Sequence, residues 1–220
     1  MMNPITIING YAETIGLVLN EEEFESKEFV KKQLDTIQST IHRMSYMMKN
    51  ILKYSEQDRG KSETFSVSDV IQDTINLLKP SLNSNNISVI FKRPEYEIFM
   101  EGSSNHLIQV LFNLINNSRD AIMERDLNQG GIIRIKIAAG SGRIKIEVED
   151  NGSGMDKKVV ENLWKPFYTT KRPGHGTGLG LYLIRKIIQD YQGTIQCYSV
   201  LNQGTKFTIV LPSVKEIGMT

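Results

Sequence analysis

From Ile5 to Leu19 apolar side chains return at helical spacing, at Ile8, Tyr11, Ile15 and Val18, until the acidic stretch Asn20 to Glu25 interrupts them. Beyond that break, Val30, Leu34, Ile37, Ile41, Met44, Met48 and Ile51 alternate steps of four and three. Such spacing keeps one apolar seam in line along a helix. The pattern predicts two helices folded into a hairpin. A lone hairpin leaves much of its seam wet, and the usual remedy is a second copy packed against it as a four-helix bundle. A homodimer through the hairpin is therefore expected.

Ser55 to Glu63 is rich in charge and contains Gly60, so it reads as a linker dividing residues 1–59 from a second domain, residues 60–215. Patterning resumes near Thr64. Ser66 or Ser68 is placed to cap a helix carrying Val70, Ile71, Ile75, Leu77 and Leu78, which should stop before Pro80. Ile87 to Phe91 and Ile98 to Met100 read as short strands. His106 to Met123 reads as a long amphipathic helix. Ile132 to Ala138 and Arg143 to Val148 alternate as an antiparallel pair around Gly140 to Gly142. Leu179 to Tyr191 reads as a further helix, and Thr194 to Val200 with Thr205 to Leu211 as a last hairpin. Helices and strands in this order make the fold class α+β: a helical hairpin, then an α/β sandwich of one helical layer on one mixed sheet.

Composition narrows the possible partners. The 220 residues carry 26 basic and 25 acidic side chains, which leaves no overall field to hold nucleic acid or anionic lipid. Neither nucleic acid nor membrane contact is expected of this segment. One cysteine, Cys197, excludes an internal disulfide framework and fits a packed strand position in a reducing compartment. No apolar run approaches the roughly 20 residues that span a bilayer, and no basic region followed by an apolar stretch opens the chain. A soluble, cytoplasmic protein is expected.

Several motifs fail. Gly60-Lys61-Ser62 resembles the end of a P-loop, but Ser55 stands where the first glycine is needed. Gly176-Thr177-Gly178 begins like a dinucleotide fingerprint, yet Leu181 occupies the third glycine position. A calcium loop built around Gly152 would place Lys158 where its glutamate belongs. His42, His106 and His175 have no metal-ligand spacing to one another.

Four segments remain. Asn113 and Asn117 are four apart, on one face of the long helix, where amide oxygens can point into one cleft. Magnesium takes only one or two protein oxygens beside phosphate oxygens and water, so asparagine suffices as its ligand; a wet helix face is the plainer alternative. Arg119 is placed to counter phosphate charge or to be solvated. In Asp150-Asn151-Gly152-Ser153-Gly154, which follows a strand, an ionised carboxylate can accept an adenine amino proton while Gly152 and Gly154 let backbone approach the ring. In the third segment, Lys165-Pro166-Phe167-Tyr168-Thr169-Thr170-Lys171 precedes Gly174-His175-Gly176-Thr177-Gly178-Leu179-Gly180. Its glycines open directly into a helix, giving a lid whose amides can hold phosphates, with Phe167 anchoring it by packing and Lys171 placed to meet phosphate. Gly204-Thr205 closes the set.

These residues, in this order, resemble the N, G1, F and G2 boxes of the histidine-kinase ATPase domain. That domain belongs to the superfamily shared by gyrase, heat-shock chaperones of the ninety-kilodalton class and mismatch-repair ATPases. The resemblance covers roughly Thr64 to Pro212 and implies a Bergerat-type α/β sandwich binding ATP and Mg2+. It makes Asn117 similar to the magnesium ligand and Asp150 to the adenine-reading carboxylate, with Gly152 and Gly154 beside the base. Gly176, Gly178 and Gly180 correspond to the phosphate-side glycines, and Thr205 to a further polar contact near adenine. Hydrolysing relatives carry a glutamate one turn before the magnesium asparagine, to activate water; here that position is Asn113, which serves water attack poorly. Phe167 to Lys171 and Arg119-Asp120-Ala121 look more like nitrogen-regulator-type kinases than chaperones.

Asn3-Pro4-Ile5-Thr6 resembles the tail of the family's phosphoacceptor box, in which histidine and an acidic residue stand four and three places before the asparagine. Those positions would precede Met1, so no catalytic residue is assigned within the chain, and His42, on the solvated side of the second helix, is expected to be a surface residue. The resemblance implies ATP-dependent transfer of phosphate to a histidine, then to an aspartate of a response-regulator receiver domain. A fragment or misplaced start within a complete kinase explains the gap. The alternatives are a non-catalytic ATP-binding regulator that dimerises with a kinase, and an anti-sigma-type protein-serine kinase, which would lack the helical hairpin.

Overall fold

The computed structural model describes residues 63–125, 130–171 and 176–213, and in the N-terminal region Gly10, residues 12–15, Val30, residues 33–34 and Ile37, all helical. The seam positions Ile41, Met44, Met48 and Ile51, with Asn3, Pro4, His42, residues 55–62, Gly174 and His175, lie outside the described residues. The chain divides into two compact units: Met1–Arg59 with Phe167–Leu179, and Gly60–Pro166 with Gly180–Thr220. Among the described residues, no helix is long and apolar enough to cross a membrane.

In the second unit β1 (Glu63–Ser66) leads into α1 (Val67–Asn83), then β2 (Ile87–Phe91), β3 (Phe99–Gly102) and the long α2 (Ser104–Arg125). After these come β4 (Gly131–Gly140), β5 (Arg143–Asp150), the short α3 (Lys157–Asn162), α4 (Gly180–Asp190), β6 (Thr194–Val200) and β7 (Gly204–Pro212). Five strands form one sheet in the order β2-β4-β5-β7-β6, with β2 parallel to β4 and the other pairs antiparallel. β1 and β3 pair separately.

Alternation along the central strands decides which face is covered. Ile133 and Ile135 of β4, Ile144, Ile146 and Val148 of β5, and Phe207, Ile209 and Leu211 of β7 are buried, while Lys136 and Lys145 between them are exposed. The buried face shares one core with Ile71 and Leu82 of α1, Leu111, Leu114 and Ile115 of α2, and Ile184, Ile187 and Ile188 of α4. The result is the helical layer on a mixed sheet that the apolar pattern predicts.

The structure corrects one boundary. α1 does not stop before Pro80 but runs through it to Asn83. A proline in a helix forfeits one backbone bond; here the last turn is retained because Leu82 is 2% exposed in the core and Arg119 Nη1 of α2 donates to Ser81 Oγ at 3.1 Å. Of the two proposed caps, Ser66 is the one used, its Oγ accepting from Asp69 N at 3.3 Å, and Ser68 is buried.

Leu114 is fully buried where α2 meets the sheet. Leu114→Ala removes apolar contact and leaves a cavity, so it should lower the unfolding free energy by about 2 to 5 kcal/mol. Urea titration followed by circular dichroism measures this; a loss within the scatter of surface variants would refute the packing described.

Candidate functional site

Asp150 ends β5, in register with Thr205 at the start of β7. Its carboxylate is 5% exposed yet supplied with donors from three directions. Oδ1 accepts from Gly152 N at 2.9 Å and Thr205 N at 3.2 Å, and Oδ2 accepts from Ser118 Oγ of α2 at 2.8 Å. Burial pushes the Asp150 carboxyl above its ordinary range; the Gly152, Ser118 and Thr205 bonds oppose that rise, and the charge of Glu149 adds to it. The same burial, with the Asp150 charge nearby, pushes the Cys197 thiol on β6 up to about 12.

The turn after Asp150 is clamped from both sides. Ser153 N donates to Ala121 O at 2.9 Å, Arg125 Nη1 to Asn151 O at 2.7 Å, and Asn202 N to Ser153 O at 2.6 Å. A Cβ on Gly152 would stand 2.7 Å from the Ala121 carbonyl carbon, one on Gly154 would strike Val200 O, and one on Gly204 would strike Asp150 O. The glycines of this turn are thus demanded by helix and hairpin backbones pressing against it, which is a more local reason than access to a ring. Ser199 completes the hairpin side: its Oγ accepts from Met155 N at 2.8 Å and lies 2.8 Å from Thr205 Oγ1 and 3.0 Å from Gly204 O.

On α2, Asn113 and Asn117 are half-buried, one turn apart, and Ser118 follows directly. Asn113 donates to Gln109 O at 3.0 Å, and its Oδ1 would lie 3.3 Å from a Cβ on Gly180, so it borders the first residue of α4. Arg119 is not brought to this face. Two residues past Asn117 it lies about 200° further round the helix, where its guanidinium binds Asp120 Oδ1 at 2.8 Å and Ser81 Oγ at 3.1 Å. It ties α2 to α1 and is neither a solvated cation nor a counter-charge on the asparagine face.

Phe167–Leu179 belongs to the other compact unit. Within it the two ends of the loop meet. Gly178, at φ 65°, takes up space beside the Phe167 backbone, where a Cβ would stand 2.6 Å from Phe167 O. Gly176 lies against Thr169 and Lys171, and Thr177 Oγ1 accepts from Leu179 N at 3.3 Å. Phe167 is 48% exposed with φ 64°, so the expectation that its ring anchors the loop by packing is not met; its backbone makes the close contact. Thr170 is exposed and Leu179 buried.

The structure therefore gathers Asp150, Gly152, Gly154 and Thr205 in one cluster and sets Asn113 beside Gly180. The sequence reading missed Ser118 and Ser199. Ser118 had a signal, being the residue after Asn117 on a helix whose neighbours Leu114, Ile115 and Ile122 are all buried. Ser199 had none apart from its place in an alternating strand.

Sheet order, helical layer and buried aspartate together define an ATPase core of the histidine-kinase type. Residues 102–215 match the histidine kinase-, DNA gyrase B- and HSP90-like ATPase family, and the chain belongs to it; membership in an ATPase family implies ATP binding. It is similar to sporulation kinase B of Bacillus subtilis strain 168, at 30% identity over 96% of this chain and 47% of that protein. Among solved structures it resembles the catalytic domain of histidine kinase ThkA, with TM-score 0.61 and 27% identity over 69% of this chain and 95% of that one. It also resembles histidine kinase ThkA in complex with response regulator protein TrrA, with TM-score 0.67 and 25% identity over 98% of this chain and 59% of that one. The chain thus spans about half the length of the first of these relatives.

A carboxyl whose folded pKa lies above its unfolded value binds its proton more tightly when folded, so its contribution to stability falls as pH rises between the two values. Asp150→Asn removes that loss while leaving an amide that can still accept from Gly152 and Thr205. The variant should match the wild type in acid and become the more stable protein as pH rises past the carboxylate range. Thermal melting across pH tests this; a wild type that gains on the variant as pH rises would reverse the sign assigned to Asp150.

Proposed function

We propose that this chain is the catalytic core of a two-component histidine kinase, binding Mg-ATP and passing its γ-phosphate to a histidine and then to an aspartate of a response-regulator receiver domain. One observation carries the proposal: Asp150 is a buried carboxylate with both lone pairs of Oδ1 taken by backbone donors and one of Oδ2 taken by Ser118. A single acceptor position on Oδ2 remains for a ligand donor, which suits the exocyclic amine of adenine.

The two neutral amides of α2 fit a metal that keeps its waters and binds phosphate oxygens. Asn117 is the proposed ligand; magnesium bound there would neutralise charge on the transferring phosphate. Asn113 lacks the basicity to activate water, which favours transfer to another nucleophile over hydrolysis. Gly180 opens α4, whose amides would face the phosphates; by their sequence pattern alone, Thr170, Lys171, Gly174, Gly176, Thr177, Gly178 and Leu179 are further candidate nucleotide-binding residues. Leu34 of the apolar seam is 47% exposed in the single chain, which supports a dimer through the hairpin.

Three measurements test this. Asn117→Ala should weaken Mg-ATP more than metal-free ATP, whereas Asp150→Asn should weaken both by on the order of tenfold to a hundredfold, the worth of a hydrogen bond to a charged group. Calorimetric titrations unchanged in both variants would remove the site. With histidine and glutamate placed four and three positions before Asn3, on enough upstream helix to hold register, γ-labelled ATP should give acid-labile label that survives His42→Ala. Label lost with His42→Ala would move the acceptor. A charge at Ile41 or Met44 would be unpaired in the seam and should give a monomer that still binds ATP; an intact dimer on sedimentation would exclude the hairpin as the interface.

A further inference from the structure

We propose that Ser118 is a specificity-determining residue, holding the ligand-facing oxygen of Asp150 as a pure acceptor and so selecting 6-amino over 6-oxo purine nucleotides. This rests on the nucleotide site proposed above. The two oxygens of Asp150 are not equivalent. Oδ1 accepts from Gly152 N and Thr205 N, and backbone N–H groups can only donate, so no proton can be accommodated on that oxygen. Any proton Asp150 takes up must reside on Oδ2. There, among the described residues, the hydroxyl of Ser118 is the donor, at 2.8 Å from a residue itself 2% exposed.

The state of Oδ2 decides what the pocket reads. Ionised, it accepts from an amine and repels a carbonyl oxygen. Protonated, it offers a donor that a 6-oxo purine can accept. Burial already favours the proton on Asp150, and the Ser118 bond is one of the contacts opposing it. The other groups around the carboxylate do not substitute for that bond. Glu149 on β5 pushes in the same direction as burial, Cys197 of β6 is a neutral thiol up to about 12, and α2 and β7 reach Asp150 through uncharged Ser118 and Thr205. Removing the Ser118 hydroxyl leaves Oδ2 without a donor and Oδ1 unchanged, so protonation begins at higher pH and on the oxygen that faces the base.

The test is calorimetric titration of the full chain with ADP and with inosine diphosphate, magnesium present, from acid to neutral pH, for wild type, Ser118→Ala and Asp150→Asn, with melting curves to verify folding. In Ser118→Ala the preference for ADP over inosine diphosphate should fall about tenfold, the scale of one hydrogen bond to a charged group. The loss of ADP affinity on acidification should also set in at higher pH than in the wild type. If Ser118→Ala weakens both nucleotides equally, or keeps the wild-type preference and pH profile, Ser118 is only a packing residue and the proposal fails. If the wild type shows no preference for ADP, or Asp150→Asn changes nothing, the nucleotide site itself is misassigned, a result distinct from failure of Ser118.

Discussion

The arrangement of this domain follows from placing one carboxyl group out of water in a bed of fixed donors. A buried charge is tolerated only when its lone pairs are met by fixed donors, and Asp150 obtains them from its own turn, from α2 and from β7. Each source fixes an element. Thr205 N is placed by the β5–β7 register, Ser118 by the rotation of α2 about its axis, and Gly152 N by a turn that must fold back within two residues. A shift of α2 by one residue would carry Ser118 away and bring Asn117 or Arg119 in its place.

The glycines of the turn belong to the same constraint. Backbone atoms of Ala121, Val200 and Asp150 occupy the space where side chains on Gly152, Gly154 and Gly204 would be. The turn is held between helix and hairpin so closely that its donors cannot drift from the carboxylate. Rigidity of this kind is what a base-reading site requires, since a charged acceptor that wandered would be solvated and lose selectivity. Its cost appears in the raised pKa: burial favours the protonated form of Asp150, and the Gly152, Ser118 and Thr205 bonds oppose it.

Much of this was legible in the sequence because period and burial coincide. β2 and β6 occur over the residues their alternation predicts, and Asp150, Gly152, Gly154 and Thr205, picked out by their resemblance to the family's boxes, lie in one cluster. What was not legible depends on contacts between distant segments. Pro80 reads as a helix stop until Leu82 and the Arg119–Ser81 bond are known to hold the turn beyond it. Arg119 reads as a cation for phosphate until α1 is placed against α2. β1, with four residues, pairs with a strand that begins over thirty residues later, and six-residue α3 is started by Asp156 accepting from Val159 N at 2.8 Å. Ser118 drew no reading from the sequence, because only the approach of β5 gives it a partner.

The placement of Arg119 bears on how the proposed site would divide its work. With that guanidinium committed to Asp120 and Ser81, α2 presents neutral amides on its asparagine face. In the proposed site, phosphate charge would then fall to the metal and to the amides that open α4. The proposed base end, in contrast, lies within one compact unit, where Gly152, Thr205 and Ser118 donate to Asp150. A site built in this way would recognise the base on a preformed surface and depend on magnesium at the phosphate end. Loss of metal would then weaken triphosphate far more than nucleoside, because no fixed cation on α2 stands ready to replace it.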